Sequence, residues 1–258
     1  MNTTTQRKGA TRTADIPADI LAALSHGTLA SATLAEGLAL DQSVLLRMAF
    51  PRLPADALEA ADTASQLGIL KRMSGIAAIL YKALGEAGIE QCQAHPSDTV
   101  RGWACFMVGL HPYPDLASRL AAIRIFADDP HFGVREWSWM SVRPHLAKQL
   151  PHAIEHLTEW TNSSSANQRR FASEAIRPRG VWCAHITPLK QHPELALPIL
   201  TPLRSDPSPY VQDSVANWLN DAAKDQADWV RHICAQWQQH NTSEATRRIC
   251  QRALRNLK

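Results

Sequence analysis

The sequence holds five cysteines, Cys92, Cys105, Cys183, Cys234 and Cys250, an odd number, widely spaced and without a C-x-x-C pair. That excludes a disulfide framework and a spacing-encoded zinc site, and it fits a reducing cytosol, so a cytoplasmic protein is expected. No window approaches 18 uncharged apolar residues: Lys71, Arg72 and Lys82 break the most apolar stretch, Leu67 to Leu84, so no membrane span is expected. Glycine-rich phosphate loops are missing, and no segment alternates convincingly enough to be a strand. The start, MNTTTQRKGATRTADIP, lacks the apolar run of a secretory signal, and residues 1–15 are expected to form a flexible tail. Aromatic residues make up only 6%, yet eight of them are tryptophan against three tyrosines.

What is present suits a folded, water-exposed chain. Apolar residues are 45% and charged residues 20% of 258, enough for one large core, and residues 16–258 are expected to form a single domain and a monomer. The formal net charge of +3 is too weak to prove a polyanionic partner. Its placement says more, because five basic residues lie from Arg169 to Lys190 and five from Arg247 to Lys258.

Periodicity predicts short helices over 16–24 and 31–38, one capped by Asp41, and an antiparallel pair over about 55–68 and 70–85. From Pro96 onward the pattern repeats. The segments VRGWACFM, VREWSWMS, QRRFASEA, VQDSVANW and ATRRICQR start at Val100, Val134, Gln168, Val211 and Ala245, with offsets of 34, 34, 43 and 34. Turn-and-cap signals (HPSD, DDPHFG, SDPSPY) precede three of these B helices, and each later B helix follows an A helix, over 114–127, 151–160, 193–204 and 227–239. Two helices per unit predict an all-α fold, a curved solenoid of stacked antiparallel helix pairs of the HEAT type. The longer step contains RRFASEAIRPRGVW, and an insertion in a solenoid tends to fall on one functional face.

Within that segment Phe171, Ala172, Ala175 and Ile176 point to a core while Arg170, Glu174 and Arg177 share another face, so one acid stands inside a basic stripe. Pro178 should end the helix near Arg177 and place Arg179, Gly180 and Trp182 in a loop. In the next B helix Val211, Val215, Trp218 and Ala222 are core positions, with Asn217 and Asp221 one turn apart on the other side. In the helix at Val134, Glu136, Trp139 or Met140, and Arg143 share a face, and the pattern does not decide between Trp137 and Trp139 as the exposed ring. Each acid alone would read as a solvated surface charge. Together, acids, tryptophans and cations on successive B helices compose a nucleic-acid groove that does more than bind. His152 and His156 stand at i, i+4 without a third ligand, so no metal or cofactor is expected. Cys183 reads as a buried thiol despite basic neighbours.

The segments FASEAIRPRGVW and YVQDSVANWLNDAAKD, with VREWSWM before them, resemble the HEAT-repeat DNA alkylation-repair glycosylases, the AlkC branch more than AlkD. The resemblance extends over about Pro96 to Lys258. It implies hydrolysis of the N-glycosidic bond of cationic alkylated bases such as N3-methyladenine in double-stranded DNA, without flipping the base. Residue by residue, Glu136, Glu174 and Asp221 match the family's acids, Trp182 a catalytic-site tryptophan, and Arg177 and Arg179 its backbone-contacting arginines. The long-form relatives carry an immunoglobulin-like domain after the solenoid, and no β-rich segment follows the last repeat helix here. Ala175-Ile176 departs from a more polar pair. On this reading Asp221 is the expected catalytic carboxylate, assisted by Glu174 and Glu136, with Trp182 against the sugar or lesion and Trp139 stacking on the substrate. Arg143, Arg169, Arg170, Arg177, Arg179 and Lys224, with Asn217, are the expected DNA contacts. The rival from another class is a non-catalytic HEAT scaffold.

Overall fold

A computed structural model describes residues 7–240 and 243–257, and among them every regular element is a helix. In chain order these are α1 (Ala18–Ser25), α2 (Leu34–Ala39), α3 (Gln42–Ala49), α4 (Ala55–Ser65), α5 (Ile69–Leu84), α6 (Ala87–Gln93), α7 (Asp98–Leu110) and α8 (Leu116–Ala127). There follow α9 (Phe132–Lys148), α10 (Leu150–Trp160), α11 (Ala166–Glu174), α12 (Thr187–Gln191), α13 (Leu197–Leu203), α14 (Pro209–Ala222), α15 (Ala227–His240) and α16 (Glu244–Ala253). Short 3-10 turns lie at Thr13–Asp15 and Pro193–Ala196. The chain divides into two compact units, one of residues up to Pro112 with Asp129–Ser141, the other of Tyr113–Asp128 with Val142 onward.

In the first unit α5 packs on α4, α6 and α7. Met73, Ile76, Ala77 and Leu80, spaced by three, one and three, form the buried stripe of α5, and Trp103 of the neighbouring α7 is fully buried. The Trp103 indole N–H would be stranded there, and it donates to Gln42 Oε1 at 3.2 Å. Gly85 ends α5 at φ +59°, ψ −145°, a backbone conformation open in practice to glycine alone. The N-terminal segment departs from the expected flexible tail. From Arg7 onward it is held to α2: Arg7 pairs with Glu36 at 2.5 Å and Ala10 N–H donates to the same carboxylate at 3.1 Å. Glu36 is wholly buried, and the Arg7 guanidinium, opposed by burial, brings its pKa down to about 2. Residues 1–6 lie outside the described residues.

In the second unit the A helices α10, α13 and α15 pair with the B helices α11, α14 and α16, and the B helices lie side by side, α11 on α14 and α14 on α16. This is the expected HEAT-like stacking. Val211, Val215, Trp218 and Ala222 of α14 are all fully buried, and Phe171 of α11 lies against Trp160 with ring centroids 4.9 Å apart. Truncating a ring at such a position costs about 3–5 kcal/mol, because the cavity left behind collapses only partly.

A recurring side-chain clamp joins the repeats. The second residue of the first three aligned segments reaches back to the turn before its helix: Arg101 to His95 O and Pro96 O, Arg135 to Asp129 O and Pro130 O, Arg169 to Ser163 O and Ser164 O. Arg101 also pairs with Asp129 at 2.8 Å, and Arg169 with Asp206 at 2.6 Å, so the turn of the following repeat is tied in as well. Turn carbonyls are thereby satisfied by the helix they introduce. Gln212 and Thr246 fill the same position in the last two repeats, donating to Asp206 O and Arg204 O.

Candidate functional site

The segment Arg170 to Trp182 occupies the end of α11 and the loop after it. Ser165 caps α11, accepting from Asn167 N–H, and the helix ends at Glu174, about one turn before Pro178 and short of the expected Arg177. The carbonyls set free by this early end are not left to solvent. Arg143, 2% exposed, sends Nη1 to Ala175 O (2.9 Å), Nη2 to Arg177 O (2.6 Å) and both Nη2 and Nε to Ala184 O (3.2 and 3.3 Å). Burial pushes its pKa down to about 10. Arg143 was expected at a phosphate; its guanidinium is instead enclosed by backbone carbonyls, which satisfies a buried cation as a phosphate would.

Two carboxylates from different helices meet on one guanidinium. Arg177 Nη1 donates to Glu174 Oε1 at 2.7 Å, while Nε and Nη2 both reach Asp221 Oδ2, at 2.9 and 2.6 Å. Glu174 Oε2 accepts from Ser214 Oγ at 2.6 Å and lies 3.6 Å from Arg170. Asp221 Oδ1 accepts from Lys224 Nζ at 3.1 Å. Glu174 and Asp221 are 3% and 4% exposed. Burial alone would raise the Glu174 pKa, but Arg170, Arg177 and the Ser214 hydroxyl outweigh it and hold the group below its ordinary 4.5. Arg177 is pulled down by burial and carried above its ordinary value by the two carboxylates. Three cations thus surround two acids, and a net positive charge faces outward through Lys224, whose side chain is half exposed.

Trp182 is the one non-glycine residue with positive φ among the described residues, at +59°, and its indole is 49% exposed. Holding a bulky residue there costs about 1–2 kcal/mol. A large apolar ring presented to water on a strained backbone marks a site of use more than of packing. Cys183, next to it, is half-buried, and burial pushes its thiol upward against the opposing pull of Arg143.

The remaining expected residues fall in three groups. Arg170 lies over the Tyr210 ring at 4.4 Å, Arg179 pairs with Asp225 at 2.9 Å, and Asn217 is part-exposed and accepts from Arg255. All three sit with Lys224 on or beside the wall of α11 and α14. Arg169 does not: its bonds to Asp206, Ser163 O and Ser164 O make it a repeat clamp, which corrects its expected place at DNA. Trp139 is also corrected. It is 1% exposed and donates to Glu136 Oε2 at 2.9 Å, so its ring is core, and no ligand can stack on it. Trp137 is part-exposed and rests on Phe106 where Gly102 leaves room: a Cβ there would stand 2.7 Å from the indole. Glu136 belongs to the first unit and is part-exposed. Among the described residues no group of three possible metal ligands occurs, and His152 instead faces Glu155 at 3.8 Å.

Sequence reasoning missed the cations of α16 and of the turn that follows it. Arg248 and Arg252 share Asp213, at 2.6 and 3.1 Å, and Arg255 reaches Asn217. These contacts lay three further arginines against the outward edge of α14. The charge cluster after Arg247 and the one-sided distribution of α16 carried the signal.

Comparison with known proteins gives this wall a family. The family model described as DNA alkylation repair enzyme matches residues 134–257. This segment belongs to the DNA alkylation repair family. A curated relative, the uncharacterized protein YhaZ of Bacillus subtilis, is 39% identical over 120 residues, 46% of this chain and 33% of its own length. The alkylpurine DNA glycosylase AlkC of Pseudomonas fluorescens, solved with DNA containing an abasic site analog, superposes with a TM-score of 0.69 at 22% identity. That likeness covers 93% of this chain and 62% of AlkC, so the chain spans less than two thirds of either relative. AlkD2 of Streptococcus mutans gives 0.55 at 21% identity over 84% of this chain, and smu.31 of the same species 0.61 at 23% over 79%. At these identities the likeness is one of fold, and the alkylation-repair segment contains Glu174, Arg177, Trp182, Asp221 and all of α16.

Proposed function

We propose that this protein is a DNA glycosylase that removes cationic alkylated purines from double-stranded DNA by hydrolysis. The observation that carries the reading is the Glu174–Arg177–Asp221 cluster: two nearly buried carboxylates fixed by one arginine, with Lys224 as their outward gate. An N3- or N7-alkylated base already bears positive charge. When its C1′–N bond breaks, the electron pair leaves with the base and neutralises it, so no general acid is required. The sugar is left oxocarbenium-like. A carboxylate stabilises that charge and accepts the proton of the water that attacks C1′.

Asp221 is the better placed of the two acids for that step. Glu174 is saturated by Arg177, Ser214 and Arg170, whereas among the described residues Asp221 Oδ1 is held by Lys224 alone. A phosphate drawing Lys224 away would expose that oxygen. Trp182 supplies an indole face, worth about 0.5–2 kcal/mol against a cation and less against a neutral base. Arg170, Arg179, Arg248, Arg252 and Arg255 take the backbone.

The test is release of free N3-methyladenine from methylated duplex DNA by wild type, Asp221→Asn and Glu174→Gln. Strong loss in Asp221→Asn supports the reading, and release that ignores both substitutions removes the assignment. DNA binding without any release by wild type would leave a HEAT scaffold.

A further inference from the structure

Arg143 has a position no surface arginine would hold. It is 2% exposed, and its four hydrogen bonds reach carbonyls on both flanks of the loop that carries Trp182, Ala175 and Arg177 before it and Ala184 after it. The loop also closes on itself through Ile186 N–H to Pro178 O at 3.0 Å, and Gly180 passes directly over the guanidinium. A Cβ on Gly180 would stand 2.9 Å from Arg143 Nε and 3.0 Å from Cζ, so the chain comes this close only because glycine is there. The loop therefore wraps a buried cation in place of an apolar core. It has little else inside it: Val181 and Trp182 are 47% and 49% exposed.

We propose that Arg143 is a positioning residue for Trp182, the post around which the loop is wound so that the indole stays in its left-handed conformation. The inference rests on the reading above only in taking Trp182 as the residue that meets DNA. A lysine at 143 keeps the charge but offers one ammonium where the planar fork serves carbonyls on both flanks, so it cannot hold them at once. The Arg143 guanidinium donates to backbone carbonyls and not to either acid, and it is no catalytic group.

Cys183 supplies a reporter in the free protein. It is half-buried, while Cys92, Cys105, Cys234 and Cys250 are buried, so a disulfide reagent such as 5,5′-dithiobis(2-nitrobenzoate) labels it first. Arg143→Lys is expected to speed that labelling about tenfold by loosening the loop. Gly180→Ala, which disturbs the same contact and leaves the buried arginine in place, is expected to act the same way. Labelling unchanged in both overturns the proposal, whether or not the protein releases bases.

The second readout is a double-mutant cycle on base release. Arg143→Lys is expected to slow release about 100-fold in wild type, as a misplaced group does. In a Trp182→Ala background the same substitution should cost almost nothing further, because the residue it positions is gone. A merely structural arginine would cost the same in both backgrounds, and multiplying losses would overturn the proposal. If wild type releases no base, the cycle is read on affinity for duplex containing an abasic site analogue.

Discussion

Glu174 is a carboxylate that burial should have neutralised and that stays charged because two arginines and a hydroxyl face it. Its folded pKa lies below the unfolded value of about 4.5, so its contribution to stability is complete above that value and is lost as pH falls through the folded pKa. Any rate that depends on the ionised group is likewise expected to persist through pH 4.5 and decline only below it. Glu174→Gln keeps the Arg177 and Ser214 geometry but leaves Arg177 and Arg170 short of one counter-charge, and is expected to destabilise the fold by about 2–4 kcal/mol. Denaturant titrations at pH 7 and at pH 3 check this, since the gap between wild type and variant should narrow in acid. A gap that widens would mean that the carboxylate is not the charged partner. The shared face of Arg170, Glu174 and Arg177 was legible from helical spacing. What spacing could not show is that Arg143, seven residues from Glu136 on the same helix, lies under a loop. Nor could it show which of Trp137 and Trp139 is core, because neighbours two apart on a helix differ in burial only through what packs on them.

At the scale of the element, the repeat was readable and its clamp was not. The offsets of 34 between aligned segments reflect one helix pair per step, and the A and B helices fall where the pattern places them. The arginine at the second position of the first three segments was in plain view, yet a cation on a helix reads as solvated until the turn it bends back to is known. Two short helices, Ala87–Gln93 and Thr187–Gln191, went unread because seven and five residues are too few for a period to show. The clamp separates two roles that the sequence merged. Arg169→Ala removes one partner of a nearly buried ion pair and is expected to cost about 2–4 kcal/mol of stability, without altering the salt dependence of DNA binding. Lys224→Ala should do the reverse, shifting stability by about 0.5 kcal/mol or less while weakening DNA binding. Chemical denaturation beside a binding isotherm distinguishes them. Equal loss of DNA affinity in both would return Arg169 to the binding surface.

For the whole molecule, a formal charge of +3 says little about a polyanion, and the side-by-side B helices of the second unit explain why placement matters more. Arg170 of α11, Lys224 beyond α14, and Arg248, Arg252 and Arg255 at α16 are far apart in sequence and share one wall, while Asp213 and Asn217 hold the α16 arginines toward it. Each such cation that meets a phosphate releases a condensed counterion, so the logarithm of affinity falls with the logarithm of salt by about 0.9 per contact. Replacing Lys224, Arg252 and Arg255 together by glutamine is therefore expected to flatten that slope by about 2–3 units. Undamaged duplex should show the same change as methylated duplex, because phosphate contacts carry no information about the base. Binding measured between low and physiological salt on both duplexes decides it. A slope that stays the same would place the DNA on another face of the protein, and Asp221 would then lose its access to a sugar along with the wall that was to bring it there.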